Sequence, residues 1–183
     1  ESEWKKKLSH VLAEKPILVG ITIRNIDDSY FASRDFSIQR IIPILEEIKR
    51  STEVPICLGG AGFSIFPFET LKFFDDIEWA GKKVVVLGSM LELGEESEKL
   101  HIEIGILAGT LSFNAIFFFG KEMESAFVSC YQAGFKGKCG WFTDFDKLLD
   151  DVRKNIRKND ILLLKGSRGM ALERIADRIA GEK

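Results

Sequence analysis

The chain has 183 residues, of which 45% are hydrophobic and 30% are charged. This composition predicts a globular protein of one domain, or at most two small ones. The net charge is −2 and the charges are interspersed, so we expect no nucleic-acid partner. The apolar runs are far shorter than a membrane span, so we expect no membrane partner.

Three cysteines, Cys57, Cys130 and Cys139, are irregularly spaced. An odd, irregular set does not describe a disulfide framework. It fits a reducing cytoplasm, where we place the protein as a monomer.

The elements predicted before residue 76 alternate between helix and strand. Apolar residues on one face of residues 4–12 predict a helix that Pro16 ends. A β-branched run over residues 17–23 predicts a buried strand, and a polar loop follows at 24–35. Pro43 predicts a kink or a late start in the next helix. The remaining elements are a strand at 54–58, a glycine-rich break at 59–62 and a helix at 68–74.

The second part of the chain continues the alternation. Predicted strands lie at 84–87, 115–119, 138–141 and 161–164. Predicted helices lie at 95–108, 122–132, 144–157 and 170–180, with Thr143 as the cap of the third of these.

The strands are short and almost wholly apolar, which is typical of a parallel sheet covered on both faces. The helices have the length of right-handed βαβ crossovers. We therefore predict an α/β fold: a doubly wound, mostly parallel sheet of about six strands in a three-layer α/β/α sandwich, Rossmann-like or flavodoxin-like. Such sheets bind ligands at the carboxyl ends of their strands.

Two groups of residues are candidates for ligand binding at that edge. Lys165, Ser167 and Arg168 follow a strand and open a helix, a pattern that favours an anion site. The alternative is that Ser167 caps the helix and the cations are solvated. The second group is glycine-rich, so it allows a ligand to approach the backbone. The alternative is that it forms only a tight βα turn. Its residues are Gly59, Gly60, Gly62 and Ser64.

We predict no catalytic and no metal-binding residue. His10 and His101 are the only histidines, and neither has a cysteine partner at zinc spacing. His101 lies in a predicted helix, where a lone histidine is more often a packing or surface residue.

Three features of the second part of the chain resemble the C-terminal domain of a Mur ligase of the MurF type. They are the motif VVVLGSMLELG at 84–94, His101, and the motif LLKGSRGM at 163–170. Such ligases join D-alanyl-D-alanine to the UDP-N-acetylmuramoyl-tripeptide using ATP. The resemblance implies a domain that closes over ATP and helps to hold the dipeptide. The family's phosphate-binding loop, G-x-x-x-x-G-K-[ST], does not occur in this sequence. Ser89 stands where the family usually has Asp, so a polar contact is altered.

The strings VGITIRNIDD at 19–28 and LGGAGFSIFP at 58–67 resemble part of the cobalamin-binding domain upstream of some radical S-adenosylmethionine enzymes. That resemblance implies a flavodoxin-like fold with the glycine loop near the corrin. The D-x-H-x-x-G motif and the C-x-x-x-C-x-x-C motif are absent from this sequence. Retained cobalamin binding is therefore the weaker interpretation of the glycines.

The two resemblances meet at a seam, residues 75–81. Our first hypothesis is a single α/β domain over residues 1–183: an engineered, non-catalytic chimera of fragments 1–76 and 77–183, with no cofactor. In it, a strand of the first fragment lies beside strand 84–87 with the strand order at the seam left open, and Trp79 covers the seam. One alternative is a binding module for ATP, another phosphate ligand or cobalamin. The other is a Mur ligase fragment that needs a separate ATP-binding domain.

Overall fold

A computed structural model describes residues 3–23, 37–60 and 66–181. It contains one six-stranded, fully parallel sheet, which confirms the predicted fold class. The strand order is β1-β2-β6-β3-β4-β5. The strands are β1 Val19–Thr22, β2 Ile56–Gly59, β3 Lys83–Gly88, β4 Ala115–Phe119, β5 Lys138–Phe142 and β6 Ile161–Lys165.

The helices follow the predicted alternation with small shifts of their ends. Pro43 lies in the first turn of the second helix, so the late start that it predicted is confirmed. Short 3₁₀ segments at Ser37–Ile41, Gly94–Glu96 and Arg168–Met170 precede three of the helices. The helices are α1 Glu3–Ala13, α2 Ile42–Ser51, α3 Pro67–Asp76, α4 Ser97–Thr110, α5 Met123–Gln132, α6 Phe145–Asn155 and α7 Glu173–Ala180.

Two hydrophobic cores cover the two faces of the sheet. Successive strand residues point to opposite faces, so Val85 and Leu87 enter one core while Val84 and Val86 enter the other. The first core is closed by residues of α2, α3, α4 and α5, and the second by residues of α6 and α7. This is the three-layer arrangement that the continuous apolar strands predicted.

The strand order at the seam, which the sequence left open, does not pair strand 54–58 with strand 84–87. They lie in the same sheet, but β6 separates them: Leu163 is in register with Leu58 on one side and with Val85 on the other. All five residues of β6 are buried. An edge position would expose such an apolar strand, and a central position pairs it on both sides.

The turn before β6 is bonded to the segment before β3 at the amino edge of the sheet, where the strands begin. Asp160 is 4% exposed, and its carboxylate accepts the backbone N–H groups of Lys82 and Arg157, each at 2.7 Å. The Trp79 indole N–H donates to the Asn159 carbonyl. These bonds fix the segment before β3 against the turn before β6.

The cap of α6 is Asp144 and not Thr143 as predicted. The Asp144 carboxylate accepts the backbone N–H of Lys147 at 3.0 Å. Its backbone is extended, with φ −105° and ψ 124°, as a residue that caps a helix through its side chain requires.

Candidate functional site

Three neighbouring strands bring most of the predicted site residues to the carboxyl edge of the sheet. Gly59 ends β2, Lys165 ends β6, and Ser89 follows β3. These strands are adjacent in the order β2-β6-β3. Gly62 and Ser64 lie outside the described residues.

Ser89 is fully buried and holds the N-terminus of α5. Its hydroxyl donates to Oε2 of Glu122 at 2.7 Å. This hydrogen bond holds the pKa of the Glu122 carboxyl below its usual range. Ser89 also donates its backbone N–H to Phe119 at 3.0 Å, so the residue ties the end of β3 to the end of β4.

His101 is a buried structural histidine. Its Nε2 accepts the backbone N–H of Met90 at 3.0 Å, and its Nδ1 lies 2.7 Å from the Ser97 carbonyl oxygen. A carbonyl only accepts, so the proton is on Nδ1. The expectation of a packing residue is confirmed, and the added finding is that His101 fixes the loop after β3.

Ser167 does not cap the helix that follows it, which corrects that alternative. The 3₁₀ segment after Ser167 receives no side-chain cap. Instead, the Ser167 hydroxyl accepts the backbone N–H of Leu91 at 2.8 Å, and its own N–H donates to the Ser89 carbonyl at 3.1 Å. The serine therefore joins the loop after β6 to the loop after β3.

The two cations of the predicted anion site lie in different environments. Arg168 is exposed, whereas Lys165 is only 5% exposed. Burial lowers the pKa of Lys165 to about 8. The lysine lines a small cavity, and the exposed arginine does not. The sequence pattern did not predict that the lysine is buried while the arginine is exposed.

Gly60 has a structural role at the end of β2. Its φ is +113°, and a Cβ there would lie 2.4 Å from the Ile23 carbonyl oxygen. Only glycine fits such a turn. This favours the tight βα turn over a dedicated ligand contact.

A second concavity was not predicted. It is a groove of about 530 Å³ at the amino edge, far from the predicted site residues, and it is lined by Gly109, Thr110, Leu111, Ser112, Phe113, Asn114, Gly134, Lys136 and Gly137. Short polar loops between helices and strands form it, and no motif in the sequence marks such a surface.

Within the described ranges, no group of three or more His, Cys, Asp or Glu residues could hold a metal ion. No helix in the same part of the chain is long and apolar enough to cross a membrane.

A family model described as "Mur ligase, glutamate ligase domain" matches residues 68–168, more than half of the 183 residues. The chain belongs to this family. The match runs from α3 to the end of the candidate site, so Ser89, His101, Lys165 and Ser167 all lie within the Mur ligase domain.

Several curated proteins are similar to a little over half of this chain. The UDP-N-acetylmuramoyl-tripeptide--D-alanyl-D-alanine ligase of Bacillus subtilis is 34% identical over 105 residues, 57% of this chain and 23% of that protein. The ligase of the same name from Borreliella burgdorferi is 36% identical over 101 residues, 55% of this chain and 21% of that protein. The chain therefore spans about a quarter of the length of these relatives.

One relative has a different name: the tryptophan 2-C-methyltransferase of Streptomyces laurentii is 30% identical over 105 residues, 55% of this chain and 18% of that protein. Among solved structures, the MurF ligase from Thermotoga maritima in complex with ADP is 28% identical, with a TM-score of 0.46, and covers 63% of this chain and 24% of that one.

Proposed function

We propose that the chain is a non-catalytic Mur ligase C-terminal domain, joined as an engineered chimera to two βα units of different origin, and that it forms one α/β domain. The observation that carries the proposal is that the polar side chains of the candidate site are engaged in hydrogen bonds within the protein. Ser89, His101 and Ser167 each bond to a neighbouring loop. They position the loops of the cleft and leave no nucleophile–base pair among these three residues.

The proposal also rests on what the family's chemistry requires. ATP-dependent ligation needs a cradle of backbone N–H groups for the phosphates, which the G-x-x-x-x-G-K-[ST] loop supplies. The printed sequence has no such loop. The resemblance implies that ATP binding and phosphoryl transfer belong to another domain of the ligases, so we propose that this chain alone does not catalyse ligation.

The chimeric origin is supported by where the matches lie. The family model begins at residue 68, after β1 and β2. The strings at 19–28 and 58–67 resemble a cobalamin-binding domain, and a methyltransferase is among the relatives. Both parent folds are parallel α/β sheets, so strands from one can pair with β6 of the other without a change of geometry.

The test of the proposed function is phosphate release by the isolated chain with ATP, D-alanyl-D-alanine and the UDP-linked tripeptide. We expect no release above the rate of a heat-unfolded sample. Release that requires all three substrates would overturn the proposal.

A binding module remains the second candidate, because Gly59 and Lys165 end adjacent strands at the carboxyl edge of the sheet, where such folds bind ligands. Isothermal titration with ATP and with cobalamin distinguishes the two candidates. Our first proposal predicts no heat beyond dilution with either ligand, and a saturable heat with one of them would favour the module.

A further inference from the structure

Two of the three free cysteines lie on the same face of the sheet. Cys130 belongs to α5 and is fully buried in the first hydrophobic core. Cys139 is the second residue of β5, and it packs against that same core. Cys57 lies in the second core, on the opposite face. The fold therefore gathers two cysteines at one place and keeps the third apart.

The thiols of Cys130 and Cys139 are hydrogen-bonded to each other, with the Cys130 thiol as the donor. This bond lowers the pKa of the Cys139 thiol, and a backbone hydrogen bond at Gly140 acts in the same direction. The same thiol–thiol bond, together with burial, raises the pKa of Cys130. Because the thiolate is the reactive form of cysteine, Cys139 is the nucleophile of the pair.

The surrounding backbone holds the two thiols in place. Helix α4 packs closely behind Cys130: a Cβ on Gly109 would lie 2.6 Å from the Cys130 carbonyl oxygen. Cys139 is in register with Ile116 of β4, and the N–H of the preceding Lys138 donates to the Asn114 carbonyl at 2.9 Å. Neither α5 nor β5 has to move for the two sulfur atoms to meet.

Solvent reaches the pair at Cys139. Strand β5 is the last strand in the sheet order, so it pairs with β4 on one side alone among the described residues. Cys139 is partly exposed, whereas Cys130 is shielded behind it. An accessible cysteine that readily forms a thiolate, next to a second cysteine, is the arrangement of a redox-sensitive pair.

We propose that Cys130 and Cys139 are a site of reversible oxidation, at which hydrogen peroxide oxidises Cys139 and Cys130 then closes a disulfide bond within the chain. The proposal goes beyond the proposed function and does not depend on it.

The reaction has two balanced steps. The Cys139 thiolate attacks one oxygen of the peroxide: an S–O bond forms, the O–O bond breaks, and the leaving hydroxide takes the proton that the thiol released and becomes water. Cys139 is now a sulfenic acid, and the peroxide is reduced. The Cys130 sulfur then attacks the Cys139 sulfur: the S–S bond forms, the S–O bond breaks, and the Cys130 proton leaves with the hydroxide as a second water.

The test is a count of free thiols after the folded chain has been treated with equimolar hydrogen peroxide. The protein is unfolded in excess N-ethylmaleimide, and mass spectrometry counts the labelled cysteines. We expect the count to fall from three to one, and dithiothreitol to restore it. Digestion should yield Cys130 joined to Cys139 and Cys57 labelled. A count that stays at three, or a disulfide that joins two chains instead, overturns the proposal.

Three variants test the role of each cysteine. Cys57→Ala removes the cysteine of the other core, and both of its remaining thiols should be lost to peroxide. Cys139→Ser should keep both of its thiols, because Cys130 and Cys57 are buried. Cys130→Ala should accumulate the sulfenic acid at Cys139, detected as its dimedone adduct. A loss of thiols in Cys139→Ser equal to that of the wild type contradicts the proposed pair.

Discussion

The two edges of the sheet use their polar side chains differently. At the amino edge, Asp160 and Trp79 connect the segment just before β3 to the turn before β6. At the carboxyl edge, Ser89, His101 and Ser167 bond only among loops of the Mur ligase domain. The segment before β3 is therefore held at one edge of the sheet, and the loops after β3 and β6 are held together at the other. A change at one edge should leave the other intact.

The largest effect is expected from Asp160→Ala at the amino edge. It leaves two partly buried backbone N–H groups without their charged acceptor, at about 2 kcal/mol each, so we expect the free energy of unfolding to fall by about 4 kcal/mol. Urea unfolding measures this change. Asp150→Ala removes an exposed carboxylate of α6 and should change stability by less than about 0.5 kcal/mol. Equal effects of the two variants would show that Asp160 does not hold the segment before β3.

The next effect is the pH dependence that Lys165 imposes at the carboxyl edge. Its pKa is about 8 in the folded protein and 10.5 as its ordinary value. The unfolded state therefore binds more protons between these values, and stability rises with pH across this window. We expect a gain of about 3 kcal/mol between pH 8 and pH 10.5.

Lys165→Met removes that dependence. It should be more stable than the wild type below pH 8, and the difference should vanish near pH 10.5. Urea unfolding of both proteins across this range is the measurement. If the stability of the two proteins changes with pH in the same way, Lys165 is not a buried lysine with a lowered pKa.

A smaller effect is expected from His101→Leu. The partly buried Met90 N–H loses its acceptor, so we expect the free energy of unfolding to fall by about 2 kcal/mol. His101→Gln offers a carbonyl oxygen near the position of Nε2 and should recover part of the loss. If the leucine variant is as stable as the wild type, the loop after β3 does not depend on His101.

The smallest effect is expected from Ser89→Ala. Because the Ser89 hydroxyl is the main cause of the lowered pKa of Glu122, we expect that pKa to return toward its ordinary range, with a loss of stability of about 1 kcal/mol. NMR titration of the carboxyl group measures the shift. Ser125→Ala removes a hydroxyl that donates to the Glu122 backbone carbonyl instead, and it should leave the pKa unchanged. A shift in both variants would point to a general change at the start of α5.

Local patterns predicted the elements well, because apolar runs and Pro43 act within a few residues. The position of β6 could not be predicted, because strand order depends on which distant strands pair. The same limit applies to Ser167 and His101, whose partners lie 76 and 11 residues away in sequence. The burial of Lys165 did leave a signal: it continues the alternation of Ile161 and Leu163 on one face of β6.

The central claim is that strands on both sides of the seam form one cooperative sheet through β6. Native-state hydrogen exchange of the amides in β2 and β3 tests it most directly, because each strand pairs with a different side of β6. We predict that both sets open with the same free energy, equal to that of global unfolding measured with urea. If the amides of β1 and β2 exchange at a clearly lower free energy while β3, β4 and β6 stay protected, the two parts fold independently and the account is wrong.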